Sequence, residues 1–147
     1  MDISTSITFH VTRTGILLRR LTARKLRQAG LDITPEESVL LNQLWDRDKQ
    51  GLSELAEWSV KERSTLTRQI DGLVRKGYVT RKHLSTDRRS IEVRLTTKGK
   101  GLKAKFENTG IPQLDKDFVG SLGVQPDKLL AILAAIREAA LLELDEK

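Results

Sequence analysis

Apolar residues recur along the first thirty positions at intervals that fit a helix. The residues on this stripe are Ile7, Val11, Leu18 and Leu21. Their spacing predicts one long helix over residues 3–30, with Gly30 as a suitable C-terminal stop. The second half of this helix carries five basic side chains and no acidic one.

A helix-start pattern at Thr34 predicts the second helix. Threonine is a good N-cap, the proline after it suits the first helical position, and Glu37 can complete a capping box. This helix is expected to reach about residue 45. After a polar turn, residues 52–57 predict a short third helix with Ser53 as a candidate cap.

The fourth helix of the pattern is amphipathic and basic. Its apolar stripe consists of Leu66, Ile70, Leu73 and Val74. At about 100° per residue, the opposite face presents Lys61, Ser64, Thr65, Arg68 and Arg75. Two starts remain open, because Ser59 with Glu62 forms a capping-box pattern while a start nearer Glu62 also fits. Gly77 is expected to end the helix.

Two strand-like runs follow this helix. Residues 78–84 predict one strand, and residues 91–95 predict another by alternating apolar and polar side chains. The segment between them is polar and basic, and it contains Asp87, Arg88 and Arg89. The pattern therefore predicts a hairpin with a positively charged tip.

The last third of the chain is predicted to be helical. A helix should follow Thr96, and glycine and proline should break it near Gly110. A final helix should open at Pro126, and its apolar residues exceed one narrow stripe. Such a helix needs cover on more than one side, for which a second subunit is the natural source. The predicted fold class is thus mainly α with a small β-hairpin.

Composition narrows the classes of protein. A chain of 147 residues and 16.6 kDa fits one domain with a real core. It has no cysteine, which excludes disulfides, thiolate catalysis and Cys-type zinc sites. Residues 61–103 contain thirteen Lys/Arg and four Asp/Glu, a local net charge of +9, whereas the rest of the chain is net acidic. Such a one-sided field attracts polyanions.

Neither an enzyme nor a membrane protein is indicated. His10 and His83 are far apart and have no close carboxylate partner, and no glycine-rich phosphate loop occurs, so we expect no catalytic, metal or cofactor site. We expect His10 near a subunit interface, His83 on a hairpin strand, and Trp45 and Trp58 in core or interlobe packing. No apolar run approaches the roughly 18 residues of a membrane span, and the polar start lacks a signal sequence, so a soluble cytoplasmic protein is expected.

The fourth helix and the hairpin together favour contact with DNA. Short polar residues near a helix N-terminus allow close approach to a major groove about 12 Å wide, so Ser64, Thr65 and Arg68 should face base edges. Arg88 and Arg89 should enter the minor groove, with Asp87 orienting them. The candidates for phosphate contacts are Lys61, Arg75 and Lys98. The simpler alternatives are an ordinary surface helix and a charged hairpin that protects a sheet edge.

At the hairpin the chain resembles a known family. The family pattern is Asp-x-Arg, then an aliphatic residue, x, Leu-Thr, two residues and Gly. It is matched by Asp87, Arg89, Val93, Leu95, Thr96 and Gly99. Weaker matches are Leu-Ala-Glu at residues 55–57 and the Ser-Thr-Leu-Thr-Arg run from Ser64. The chain is therefore similar to the MarR-type transcriptional regulators, which are winged helix-turn-helix dimers of bacteria and archaea.

The resemblance implies an organisation and a function. Within a single domain over residues 1–147, a winged helix-turn-helix lobe would span residues 32–97, and residues 1–31 and 98–147 would form the helical dimerisation region. It further implies a homodimer that binds double-stranded DNA at a pseudo-palindromic operator and acts as a repressor. Many members bind a small phenolic or aromatic acid between the two regions, although the sequence assigns no ligand-binding residues.

A different class of function stays open at this point. A winged-helix module could use the same basic face to bind an acidic protein. Steep salt dependence with retained sequence preference would favour DNA, whereas binding to an acidic protein without preference among DNA sequences would favour the module.

Overall fold

The computed structural model describes residues 1–59, 63–84 and 90–145. The elements in chain order are α1 (Ile7–Gln28), α2 (Pro35–Asp46), β1 (Gln50–Gly51), α3 (Leu52–Ala56), α4 (Arg63–Arg75), β2 (Val79–His83), β3 (Ile91–Leu95), α5 (Thr97–Glu107), α6 (Leu114–Val119) and α7 (Pro126–Asp145). The chain divides into two compact units, Met1–Ile111 and Pro112–Lys147. The predicted fold class, mainly helical with a small antiparallel sheet, is confirmed.

Side-chain caps set where the first helices begin. Ser6 accepts a hydrogen bond from the amide of Phe9 at 3.3 Å, so α1 starts at Ile7 rather than at residue 3. The predicted capping box of α2 is present, with Thr34 and Glu37 bonding each other's backbone amides. The predicted cap of α3 is wrong: the helix begins one residue before Ser53, and Gly51 occupies the N-cap position.

The core of the first unit lies between α2, α3, α4 and the sheet. The side chains that are fully buried are Leu26, Leu41, Leu44, Leu55, Leu66, Ile70, Leu73, Val79 and Val93. Three of the four apolar residues predicted on α4 are among them, whereas Val74 is only partly buried. Because this stripe is in the core, the opposite face of α4 must point outward.

The sheet has three strands in the order β1-β3-β2, all antiparallel. In the β2–β3 pair Val79 faces Leu95 and His83 faces Ile91, and the amide of Leu84 donates to the carbonyl of Ser90 at 3.0 Å. Both predicted hairpin strands are confirmed. The strand β1 was not predicted, because a run of two residues has no period to detect.

Two glycines shape the turn that joins α4, β2 and α5. Gly77 ends α4 as predicted, with φ of +82°, a backbone region that favours glycine. Thr96 caps α5 and its hydroxyl also donates to the carbonyl of Gly77 at 2.6 Å. A Cβ on Gly99 would lie 2.1 Å from the carbonyl oxygen of Tyr78, so only glycine fits there. The C-terminal end of α4 and the N-terminal end of α5 are therefore in close contact.

The predicted break after α5 is confirmed. The helix ends at Glu107, and Gly110 has φ of +82° before the short helix α6. The last helix, α7, begins at Pro126 as predicted, and none of its twenty described residues is buried. Among the described residues, no helix combines the length and apolar character that crossing a bilayer needs.

Candidate nucleic-acid interface

The outward face of α4 carries the predicted base-reading side chains. Ser64, Arg68 and Arg75 are exposed, and Thr65 is half-buried at the edge of the face. The guanidinium of Arg68 donates to the hydroxyl of Thr65 at 3.4 Å. The predicted contact residue Lys61 lies outside the described residues. The described part of α4 thus presents two arginines and two hydroxyls on the side opposite the core.

An ion pair that was not predicted joins this face to the hairpin. Arg81, on β2, pairs with the carboxylate of Asp71, and its guanidinium also lies 3.5 Å from the carbonyl of Thr67. The sequence offered a hint, because Asp71 is the only acidic residue in α4. The pair neutralises this acid, which would otherwise repel a polyanion, and it ties the first hairpin strand to α4.

Charged side chains alternate with apolar ones along the described hairpin strand β3. On β3, Arg94 pairs with Glu92, and the backbone register sets Glu92 opposite Lys82 on β2. His83 lies on β2, as predicted. The predicted minor-groove residues Asp87, Arg88 and Arg89 lie outside the described residues, so their roles stay predictions.

Lys98 lies at the C-terminal end of α4 rather than on its outward face. Its ammonium group donates to the carbonyl of Lys76 at 2.8 Å and stands 4.7 Å from the centre of the Tyr78 ring. Both contacts hold a cation near the last carbonyl groups of a helix, where the helix dipole favours it. Lys98 remains exposed, and its predicted phosphate contact is untested.

A second polar contact fixes the turn between α4 and β2. The hydroxyl of Tyr78 donates to the carboxylate of Asp32, in the segment before α2. Burial, and then this hydrogen bond, raise the pKa of Tyr78 to about 12. The hydrogen bond from Tyr78 is the largest cause that lowers the pKa of Asp32. The contact therefore requires a neutral tyrosine and an ionised aspartate.

This contact predicts a loss of stability at alkaline pH. The pKa of Tyr78 rises from 10.0 to about 12 on folding, so its contribution is complete below pH 10 and is lost as the pH approaches 12. In denaturant titrations at pH 8, the unfolding free energy of the parent should exceed that of Tyr78→Phe. This difference should shrink between pH 10 and pH 12. Groups that titrate equally in both proteins cancel in this comparison. A difference that stays constant across that range would contradict the assignment.

A cavity of about 460 Å³ opens beside α2. Its walls include Arg19 from α1, Val39 and Gln43 from α2, Trp58 after α3, and Phe106 from α5. Arg19 and Glu36 form a two-point ion pair at its edge, with nitrogen–oxygen distances of 2.6 and 2.9 Å. The lining is largely apolar.

The two tryptophans behave differently. Trp45 packs against Phe106 at a ring distance of 5.5 Å and donates to the carbonyl of Gly99 at 2.9 Å, so its predicted packing role is confirmed. The prediction for Trp58 is wrong within the described chain, since this residue is 73% exposed. The helix α3 ends at Ala56, so Trp58 lies beyond the buried Leu55, where it lines the cavity beside α2.

Comparisons with known proteins agree with this geometry. Residues 33–91, which include α2, α4, β2 and the first residue of β3, match the model of the MarR family. The HTH-type transcriptional repressor YetL of Bacillus subtilis is 38% identical over 80 residues, which is 53% of this chain and 48% of YetL. The HTH-type transcriptional regulator SarZ of Staphylococcus saprophyticus is 32% identical over 77 residues, 52% of this chain and 53% of SarZ. The chain spans about half the length of these curated relatives.

Solved structures share the fold over nearly the whole chain. Reduced AbfR bound to DNA, a protein of Staphylococcus epidermidis, has a TM-score of 0.73 at 19% identity, covering 98% of this chain and 96% of its own. A MarR transcriptional regulator from Methanosarcina mazei has a TM-score of 0.71 at 22% identity, covering 94% and 97%. At these identities the likeness establishes the winged helix-turn-helix fold. The likeness of this chain to the MarR family rests on residues 33–91, which match that family's model.

Proposed function

We propose that this chain is a sequence-specific DNA-binding transcriptional regulator that acts as a repressor. The observation that carries the proposal is the outward face of α4, where Ser64, Arg68 and Arg75 stand exposed next to the hairpin. This face lies within the segment of net charge +9. The names of the curated relatives, a transcriptional repressor and a transcriptional regulator, support the same function.

Each contact residue has a proposed role. Ser64, Thr65 and Arg68 meet base edges in the major groove, where arginine can bond guanine through two nitrogens. Arg88 and Arg89 enter the adjacent minor groove, oriented by Asp87. The proposed phosphate contacts are Lys61, Arg75 and Lys98. All of these residues except Lys98 belong to the proposed DNA-binding lobe, residues 32–97, and Lys98 follows it directly.

The protein is expected to be an obligate homodimer, with residues 1–31 and 98–147 as the dimerisation region. Exposed apolar side chains on α1 include Ile7, Val11, Ile16, Leu17 and Leu18. Those on α7 include Leu130, Ile132, Leu141, Leu142 and Leu144. Surfaces of this kind are normally covered by a partner. Sedimentation at micromolar concentration should give the dimer mass, and a stable folded monomer there would contradict the expectation.

We place a small phenolic or aromatic effector in the cavity beside α2. Its volume of about 460 Å³ suits a small ligand, and Val39, Trp58 and Phe106 offer apolar contacts. A ligand there would alter DNA affinity only by binding unequally to two arrangements of the protein.

A salt titration with DNA tests the proposed function. The purified protein should bind duplex DNA with an affinity that falls steeply as salt rises, while its preference for one sequence over others persists. Equal affinity for all duplexes, together with salt-resistant binding to an acidic protein, would replace this proposal with the protein-interaction module.

A further inference from the structure

A buried carboxylate contacts the C-terminal part of α4. Glu37, in the first turn of α2, is only 4% exposed. Its Oε1 accepts hydrogen bonds from the amide of Thr34 at 2.9 Å and from the ammonium of Lys76 at 2.7 Å. Lys76 follows the last residue of α4 directly. The ion pair therefore links the start of α2 to the end of the proposed recognition helix.

The same carboxylate touches α4 at a second point. A Cβ on Gly72 would lie 2.6 Å from Oε2 of Glu37, so the missing side chain leaves the space that the carboxylate fills. The guanidinium of Arg75, from the outward face, reaches to 3.8 Å of that Cβ position. We call Glu37, Gly72 and Lys76 the Glu37 junction. It holds the last turn of α4 at two points, beneath a proposed phosphate contact.

Net stability is a weak explanation for such a junction. The Glu37 side chain is 6% exposed and that of Lys76 is 30% exposed, so desolvation of the carboxylate and solvent screening of the ammonium together offset most of their attraction. Its contacts are directional, however, because a fixed carboxylate sets both the distance and the rotation of the helix that it bonds. Base readout depends on that placement, since hydrogen bonds to base edges weaken steeply when donor and acceptor are misaligned.

We propose that Glu37 is a positioning residue for sequence recognition, acting on α4 through Lys76 and Gly72 without touching DNA. The inference rests on the proposed DNA-binding function. It assigns part of the discrimination between DNA sequences to a residue behind the recognition helix. A residue that served stability alone would not affect that discrimination in a folded protein.

The test compares Glu37→Gln with the matched control Glu36→Gln. Glutamine at position 37 keeps the shape and the acceptor for the Thr34 amide but removes the charge. Affinity for the preferred duplex should fall about tenfold, the size of one good base contact, while affinity for an unrelated duplex stays equal or rises slightly. Glu36 is adjacent but pairs with Arg19, so the control loses the same charge and should keep the parent's ratio of the two affinities.

A second pair of variants decides the matter if Glu37→Gln does not fold. Gly72→Ala should push the carboxylate off Lys76 and lower the same affinity ratio. Combining it with Glu37→Asp, whose shorter side chain makes room, should restore part of the ratio.

The outcomes separate the inference from the function. In one outcome, the ratio of the affinities for the preferred and the unrelated duplex stays unchanged in folded Glu37→Gln. In another, the ratio stays unchanged in Gly72→Ala, with no gain from Glu37→Asp. Either result overturns the proposed role of Glu37 and leaves the proposed DNA-binding function standing. A parent protein without any sequence preference overturns the proposed function, and the inference with it.

Discussion

Replacing Gly99 with alanine is expected to lower the unfolding free energy by about 3 kcal/mol, the upper part of the range for overpacking a core. The added Cβ would lie 2.1 Å from the carbonyl oxygen of Tyr78. That oxygen is backbone and is itself held by the amide of Thr96 at 3.0 Å, so it cannot move aside cheaply. The carbonyl of Gly99 also accepts from Trp45, which couples any shift to the core.

Gly101→Ala is the matched control for this prediction. Gly101 lies in the same helix, and a Cβ there would meet nothing within 4 Å. Alanine should leave stability unchanged or raise it by up to about 1 kcal/mol, because it is the better helix former. Urea titrations of both variants measure the two changes. Equal effects at the two positions would mean that the contact of Gly99 with Tyr78 is looser than described.

Arg68→Ala is expected to weaken binding to the preferred DNA site by roughly 1–3 kcal/mol and to relax preference at particular base pairs. Arg68 projects from the outward face of α4, while Leu66 and Ile70 hold the other face in the core. The substitution should not unfold the protein, because the side chain fills no part of the core. Binding measured against a panel of single-base variants of the site gives both effects.

Arg75→Ala provides the comparison for Arg68→Ala. Arg75 is exposed on the same face as Arg68, but it is proposed to contact phosphate, which is the same for every base. Its loss should weaken binding to all duplexes about equally and make the dependence on salt less steep. If Arg68→Ala instead leaves every base preference as in the parent, the assignment of α4 as the reading helix is wrong.

Local sequence rules predicted the parts of the fold that local physics determines. The stripe of Leu66, Ile70 and Leu73 identified the buried side of α4, and Gly77 marked its end because that position needs positive φ. The capping box at Thr34 and the alternation of β3 were equally local. The start of α4 stayed open between a capping box at Ser59 and a start nearer Glu62, and residues 60–62 lie outside the described ranges.

The remainder depends on contacts between residues far apart in the chain. Glu37 meets Lys76, and Asp32 meets Tyr78, across 39 and 46 positions. The periods of helices and strands predict no contact between residues so far apart. The sequence therefore predicted the candidate site as outward side chains on α4, the charged hairpin tip and Lys98. The Arg81–Asp71 link and the Glu37 junction required the structure.

Selection from a library of random duplexes by the purified protein tests the DNA-reading account most directly. The account predicts enrichment of one pseudo-palindromic motif, with half-sites about 10 bp apart on one face of the DNA, as two recognition helices related by a two-fold axis require. Repeating the selection with Arg68→Ala should yield the same spacing with lower preference at specific positions of each half-site. A library that emerges without an enriched motif, although the protein is folded and dimeric, would contradict the account.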